Sequence, residues 1–274
     1  MTVTTTRLPL ATGAQIPQIG LGVWQSPRGA PTRDAVTAAL ELGYRHVDTA
    51  RIYQNEADVG AAIRASSVPR ADVFVTTKLW NDDQGYDSAL RALDASLGRL
   101  GLDYVDLYLI HWPVEDKRRE SWRALERAFG DGKAKAIGVS NYLVPHLRQV
   151  LEHATVKPHV NQIELTPFLQ RRDTRSLCAE HGIVVEAYSP LTRGQRLDDP
   201  VLGGVAKAIG RTPAQVLLRW GIQHRHVILP KSVTRSRIAE NAALFDFALD
   251  AAQMATLDGL DEGLATGWDP DGAP

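Results

Sequence analysis

The chain has a single cysteine, Cys178, so no intrachain disulfide can brace it, which fits a reducing compartment. It lacks any run of about 18 uninterrupted apolar residues, the length a membrane-spanning helix needs. From Met1 to Gln15 no basic stretch leads into an apolar one, so no secretory signal is read there. A cytoplasmic location is the expectation. Charge of one sign is also missing: 31 Lys and Arg face 32 Asp and Glu, a net charge of −1. Bulk charge therefore gives no hold on nucleic acid or on an anionic membrane, and neither partner is expected. No G-x-S-x-G elbow and no phosphate-loop motif occurs. Metal spacing is absent too. Cys178 and His181 form a lone pair, and His224 and His226 would point opposite ways if extended. No metal is expected.

What is present is ordinary globular material: 274 residues, 44% apolar and 23% charged. Short runs of Val, Ile and Leu alternate with amphipathic stretches. Strands are read at 20–24, 44–48, 73–78, 105–110, 135–139, 160–163, 183–188 and 227–229. Their ends recur at intervals of about 24 to 32 residues, the length of one strand-helix unit, with a last interval of about 42. Val201 to Ile209 supplies an extra helix for that longer interval. Helices are also read at 35–42, with Thr32 and Asp34 as cap candidates, at 89–100 with Gly101 as a stop, and after Thr212–Pro213. Eight such units predict an α/β fold, a (β/α)8 TIM barrel, as one domain over residues 1–274. Arg7 to Pro17, with Thr12–Gly13 at its bend, reads as an N-terminal β-hairpin that could plug the barrel floor. A doubly wound open sheet fits less well. Gly20 and Gly22 lack a third glycine, and Pro27 and Pro31 delay the helix that should follow.

A barrel interior calls for bulky aliphatic residues, so polar residues at strand ends need another reason. Asp48 ends the second strand, with Tyr53 in the loop beyond. Lys78 ends the third and His111 the fourth. Ser140 and Asn141 end the fifth, Gln162 lies on the sixth, Tyr188 and Ser189 end the seventh, and Lys231 and Ser232 follow the eighth. Each alone has a bland explanation, such as a cap, a structural ion pair or a satisfied core polar group. At consecutive strand ends they converge on the face where barrel enzymes place their sites. Tyr53 beside Lys78, with Asp48 behind the lysine, makes a proton donor next to an ammonium. The ammonium is expected to lower the tyrosine pKa from about 10. His111 can orient a substrate oxygen. Such a set suits negative charge growing on one oxygen while hydride arrives at its carbon, with the hydride drawn from a cofactor.

The segments GYRHVDTARIYQNE (43–56), VTTKLWN (75–81), DLYLIHWP (106–113), IGVSN (137–141), VNQIE (160–164), AYSPL (187–191) and ILPKSVTRSRIAEN (228–241) together resemble the aldo-keto reductase family. The short tail is similar to that of bacterial members, diketogluconate reductases among them. The resemblance implies a catalytic set of Asp48, Tyr53, Lys78 and His111, with Tyr53 the proton donor. It implies that Ser140, Asn141 and Gln162 hold a nicotinamide carboxamide and that Tyr188 stacks on the ring. Ser189 and Leu191 would lie under a pyrophosphate. Lys231, Ser232 and Arg237, with Val233 among them, would take an adenosine 2′-phosphate, and Glu240 and Asn241 the adenine. NADPH rather than NADH is therefore the expected cofactor. The cations at 231–237 also oppose a helix dipole unless a phosphate sits there. Trp24, Trp80, Trp112 and Trp268, with Ile52 and Asn81, are expected to line the substrate mouth, while Trp122 and Trp220 pack on helices. Gln54 departs from the family, where glycine often precedes the Asn-Glu pair. A small-molecule carbonyl substrate and a monomer are expected. A cofactor-binding sensor on the same fold and a glycosidase using Glu164 and Glu186 are the competing readings.

Overall fold

The computed structural model describes residues 6–272. Its first element is the hairpin. β1 (Arg7–Pro9) pairs antiparallel with β2 (Gln15–Pro17), Leu8 opposite Ile16. Gly13 turns between them at φ 83, a conformation that glycine adopts without steric cost.

Eight parallel strands follow: β3 (Leu21–Gly22), β4 (His46–Asp48), β5 (Phe74–Leu79), β6 (Leu107–Ile110), β7 (Ile137–Ser140), β8 (Val160–Glu164), β9 (Val184–Tyr188) and β10 (Val227–Leu229). They neighbour one another in chain order from β3 to β10. Parallel bridges from Ile19 to Ile228 and from Gly22 to Lys231 bring the last strand round to the first. The expected (β/α)8 barrel is what forms. Nearly every strand residue is buried, as a parallel sheet covered on both faces requires. Closure is tight at Gly20, where a Cβ would stand 2.7 Å from Leu229 and 2.8 Å from His46.

The helices are α1 (Ala30–Glu41), α2 (Glu56–Ala65), α3 (Tyr86–Leu100), α4 (Arg118–Gly130), α5 (Val144–His153), α6 (Arg172–Glu180), α7 (Pro200–Ile209), α8 (Pro213–Gln223), α9 (Arg235–Ala242) and α10 (Ala251–Asp258). α7 is the extra helix anticipated before the last strand. α8 starts as the sequence indicates: the Thr212 hydroxyl accepts from the Gln215 amide, and Pro213 fills the first turn. α1 does not. It begins at Ala30 after Gly29, so Thr32 and Asp34 lie inside it, and the Thr32 hydroxyl donates to Pro27 O at 2.6 Å.

The hairpin closes the floor. Leu8, Leu10 and Ile16 form one apolar cluster with Phe74, Leu107, Leu109, Ala136, Val160 and Val227. Among the described residues, the opposite end of the barrel, at the C-terminal ends of the strands, is the end that opens into a cavity. Among the described residues no helix is long and apolar enough to cross a membrane, and no group of three His, Cys, Asp or Glu could hold a metal ion.

Candidate active site

The strand ends deliver their polar side chains into one cavity of about 1030 Å³. Of the residues expected to form the catalytic, cofactor and substrate site, all line it except Lys78 and Asn81. Lys78 is 1% exposed and lies behind the wall. Asn81 lies in a short turn, Asn81–Asp83, and is not among the residues that line the cavity. Trp122 and Trp220 are buried away from the cavity, as expected of packing residues.

Lys78 Nζ is the hub. It donates to both Asp48 oxygens at 2.7 Å, to Thr49 O at 3.0 Å and to Tyr53 Oη at 3.2 Å. Burial alone would push its ammonium toward deprotonation. Asp48 and Tyr53 outweigh that, and its pKa rises above the ordinary lysine value. The buried charge is paired, which is the condition under which such a lysine persists. Tyr53 does not follow the sequence expectation. Burial pushes its pKa up to about 12, and Lys78 offsets only part of that rise. The desolvating walls come from loops whose packing the strand spacing does not reveal. His111 sits edge-on to Tyr53 and to Trp80, with ring centroids 5.7 and 5.2 Å away. Burial, helped by Lys78, holds its pKa well below the usual histidine value, so the imidazole is neutral.

Beside this set the amides are locked. Asn141 Nδ2 donates to His111 O at 2.9 Å, and its Oδ1 accepts from Tyr188 Oη at 2.8 Å. Asn141 adopts φ 64, which asparagine tolerates better than most residues. Gln25, Gln54, Ser189, Thr192 and Arg193 also have positive φ, so backbone strain gathers around the mouth.

At the far end Lys231, Ser232, Val233 and Arg237 line the cavity, with Glu240 and Asn241 beyond. Neither Lys231 nor Arg237 makes an ion pair with a described residue, whereas neighbouring Arg235 is tied to Glu41 on the outer surface. Lys231 and Ser232 before α9 and Arg237 in its first turn, a ring at Tyr188 and three amide or hydroxyl groups at the barrel centre form a set that fits a phosphorylated dinucleotide.

The mouth is aromatic. Trp112 and Trp268 lie 5.0 Å apart. The tail holds Trp268 there because Glu164 accepts from Thr266 N at 2.9 Å and from Gly267 N at 3.3 Å. Glu164 is thus a clasp for the tail. Glu186 is sealed inside the barrel at 0% exposure. Neither carboxyl lines the cavity, so the pairing needed for a glycosidase is not there. Sequence reasoning missed Arg193, which lines the mouth with its guanidinium 4.5 Å over the Trp24 ring. The only available signal was a lone arginine in T-R-G directly after the seventh strand.

Comparison with known proteins agrees with this geometry. The sequence profile of the Aldo/keto reductase family matches residues 18–262. The chain is 49% identical to an aldo-keto reductase of Mycolicibacterium smegmatis over 96% of both chains. It is 48% identical to the glyoxal reductase of Bacillus subtilis over 96% of this chain and 95% of that one. Among solved structures it is similar to MGS-M4, an aldo-keto reductase from a deep-sea metagenome library (TM-score 0.95, 42% identity, 98% and 100% covered). It is also similar to a Gox0644 variant in complex with NADPH (TM-score 0.92, 42% identity, 99% of each chain covered). The chain belongs to the aldo/keto reductase family.

Proposed function

We propose that this aldo-keto reductase uses NADPH to reduce small aldehydes and ketones, dicarbonyls and keto-sugar acids among them, with Tyr53 as the proton donor. The observation that carries the reading is the Lys78 ammonium bridging Asp48 and the Tyr53 hydroxyl in the wall of a cavity that ends in Lys231 and Arg237, neither of them ion-paired with a described residue. Those two cations with Ser232 suit the 2′-phosphate, Glu240 and Asn241 the adenine, and Ser189 and Leu191 the pyrophosphate. Ser140, Asn141 and Gln162 suit the carboxamide, with Tyr188 against the ring. When bound, the cofactor supplies the hydride to the carbonyl carbon.

The protein groups handle the oxygen. With its pKa near 12, Tyr53 stays protonated at neutral pH and is available as an acid. As negative charge builds on the carbonyl oxygen, Tyr53 gives up its proton, and the Lys78 ammonium at 3.2 Å stabilises the phenolate left behind. Asp48 keeps Lys78 charged and aimed. Neutral His111 donates a hydrogen bond that orients the oxygen without competing as an acid. The tryptophans around the mouth offer an apolar, water-poor surface for the rest of the substrate. The 48% identical glyoxal reductase supports dicarbonyls as the first substrates to try. A monomer suffices for this chemistry, because every group named lies on one chain.

The test is NADPH oxidation followed by absorbance, with NADH alongside, over a panel of aldehydes, dicarbonyls and keto acids. Tyr53→Phe should retain NADPH binding and lose about 10²- to 10⁴-fold in turnover, the usual range for removing a general acid. Equal turnover in the variant would sink the acid role. NADPH binding without turnover in the wild type would favour a sensor.

A further inference from the structure

Gln162 Nε2 donates to two carboxyl groups at once, Asp48 Oδ2 at 2.9 Å and Glu186 Oε2 at 2.6 Å. A primary amide has two N–H donors, and both are spent facing inward. Gln162 also lines the cavity, and its Oε1 accepts no side-chain or amide donor from the described residues. The amide is therefore presented as an acceptor. Turned over, it would set its oxygen against two carboxyl oxygens within hydrogen-bonding distance; Asp48 Oδ2 would keep Lys78 Nζ as a donor, but Glu186 Oε2 would lose its Gln162 donor.

Glu186 touches nothing in the cavity. It is fully buried on β9, next to β8 through the Gln162–Glu186 register. The titratable groups around it are Asp48, Lys78, Tyr53 and His46, whose Nε2 is 3.6 Å from Glu186 Oε1. Oε1 has no hydrogen-bond partner among the described residues, so a buried carboxyl is maintained with only one of its oxygens engaged. A buried acid is costly, and a hydrophobic residue of similar size would fill the space without that penalty. The engaged oxygen has one function visible in the geometry, which is to hold the second N–H of Gln162.

We propose that Glu186 is a positioning residue that, with Asp48, fixes the Gln162 amide so that its oxygen faces the cofactor and accepts the nicotinamide carboxamide N–H. This rests on the NADPH reading above. Glu186 itself meets neither cofactor nor substrate. Burial, reinforced by Asp48, pushes its pKa up to about 8, so at neutral pH it is an uncharged acid whose carbonyl oxygen still accepts from Gln162. Asp48 alone could hold the amide by one bond, but the other N–H would be free to swing.

The test is a double-mutant cycle read by NADPH titration of the full chain, using quenching of tryptophan fluorescence. Glu186→Leu should weaken NADPH binding by about two- to tenfold, the loss of one neutral hydrogen bond. It should lower kcat with little change in the KM of the carbonyl substrate. Glu186→Gln, which keeps an acceptor oxygen at that point, should restore binding to within about twofold. In a Gln162→Leu background, Glu186→Leu should change nothing further. Equal weakening in both backgrounds would show that Glu186 acts through general packing and would overturn the proposal. So would unchanged NADPH affinity and kcat in Glu186→Leu. If Glu186→Leu does not fold, Glu186→Met carries the same comparison. A wild-type chain that binds no NADPH would count against the cofactor reading itself, which the wild-type titration reports separately.

Discussion

A carboxyl group sealed at 0% exposure beside Asp48 survives there only by giving up its charge, and that leaves a signature in stability. Glu186 ionises near 4.5 in an unfolded chain and near 8 in the fold. Between these values the folded state keeps a proton that the unfolded state releases. The contribution of Glu186 is therefore fully present below pH 4.5 and is lost as the pH rises through 8. His46 runs the other way. Burial holds its folded pKa near 3 against 6.5 unfolded, so its contribution is present above 6.5 and is lost as the pH falls toward 3. Glu186→Gln removes the first dependence only. Its unfolding free energy relative to wild type should grow steadily between pH 4.5 and 8 and level off above, as measured by urea unfolding at stepped pH. Parallel curves would mean that Glu186 is ionised in the fold. Identity at this scale was legible in the sequence; environment was not. Asp48, Tyr53, Lys78 and His111 were visible as misfits at barrel strand ends. The upward pKa shift of Tyr53 and the inward burial of Glu186 depend on walls drawn from distant parts of the chain.

At the scale of elements, spacing carried the eight strands, because each strand-helix unit must span the barrel and return. It carried α8 as well, because Thr212, Pro213 and Gln215 satisfy that helix start locally. It failed at α1, where the glycine at 29 and the Pro27 carbonyl displaced the two polar cap candidates. At Asn81 spacing is silent, since the residue sits in a turn of three residues rather than on a strand. Gln54 shows the same limit. The sequence marks it only as a glycine position filled by glutamine. The structure gives the reason for glycine there: the residue closes the Arg51–Tyr53 turn at φ 58, ψ 22, in the left-handed region. A residue with a Cβ costs about 1–2 kcal/mol there, while glycine returns about 0.5–1 kcal/mol in unfolded-state freedom. Gln54→Gly should therefore stabilise the fold by about 0.5–1 kcal/mol, seen as a rise of about 1–4 °C in Tm. A fall in Tm would show that the Gln54 side chain makes a contact worth more than the strain.

The molecule as a whole divides its labour between two ends. The open end holds the cavity, the strained loops and the two cations, Lys231 and Arg237. The closed end is an apolar plug in which the hairpin meets the first residues of the strands. One strand joins the two: β5 starts at Phe74 in the plug and reaches Lys78 four residues later, about 13 Å away at the usual rise. Phe74 packs edge-on to His46 at 4.9 Å, so the plug supports the buried polar layer from below without touching the reacting groups. Sites farther apart than about 7–10 Å with no shared partner behave independently. Ile16, fully buried in the plug, tests whether the two ends are separable. Ile16→Ala removes three carbons from a packed cluster and should cost about 2–5 kcal/mol in unfolding free energy. Below its lowered unfolding midpoint, the variant should keep kcat and the NADPH dissociation constant within about twofold of wild type. Tyr53→Phe should give the converse, lost turnover with stability nearly intact. A large kcat loss in folded Ile16→Ala would show that the hairpin sets the height of the polar layer and that floor and site work as one unit.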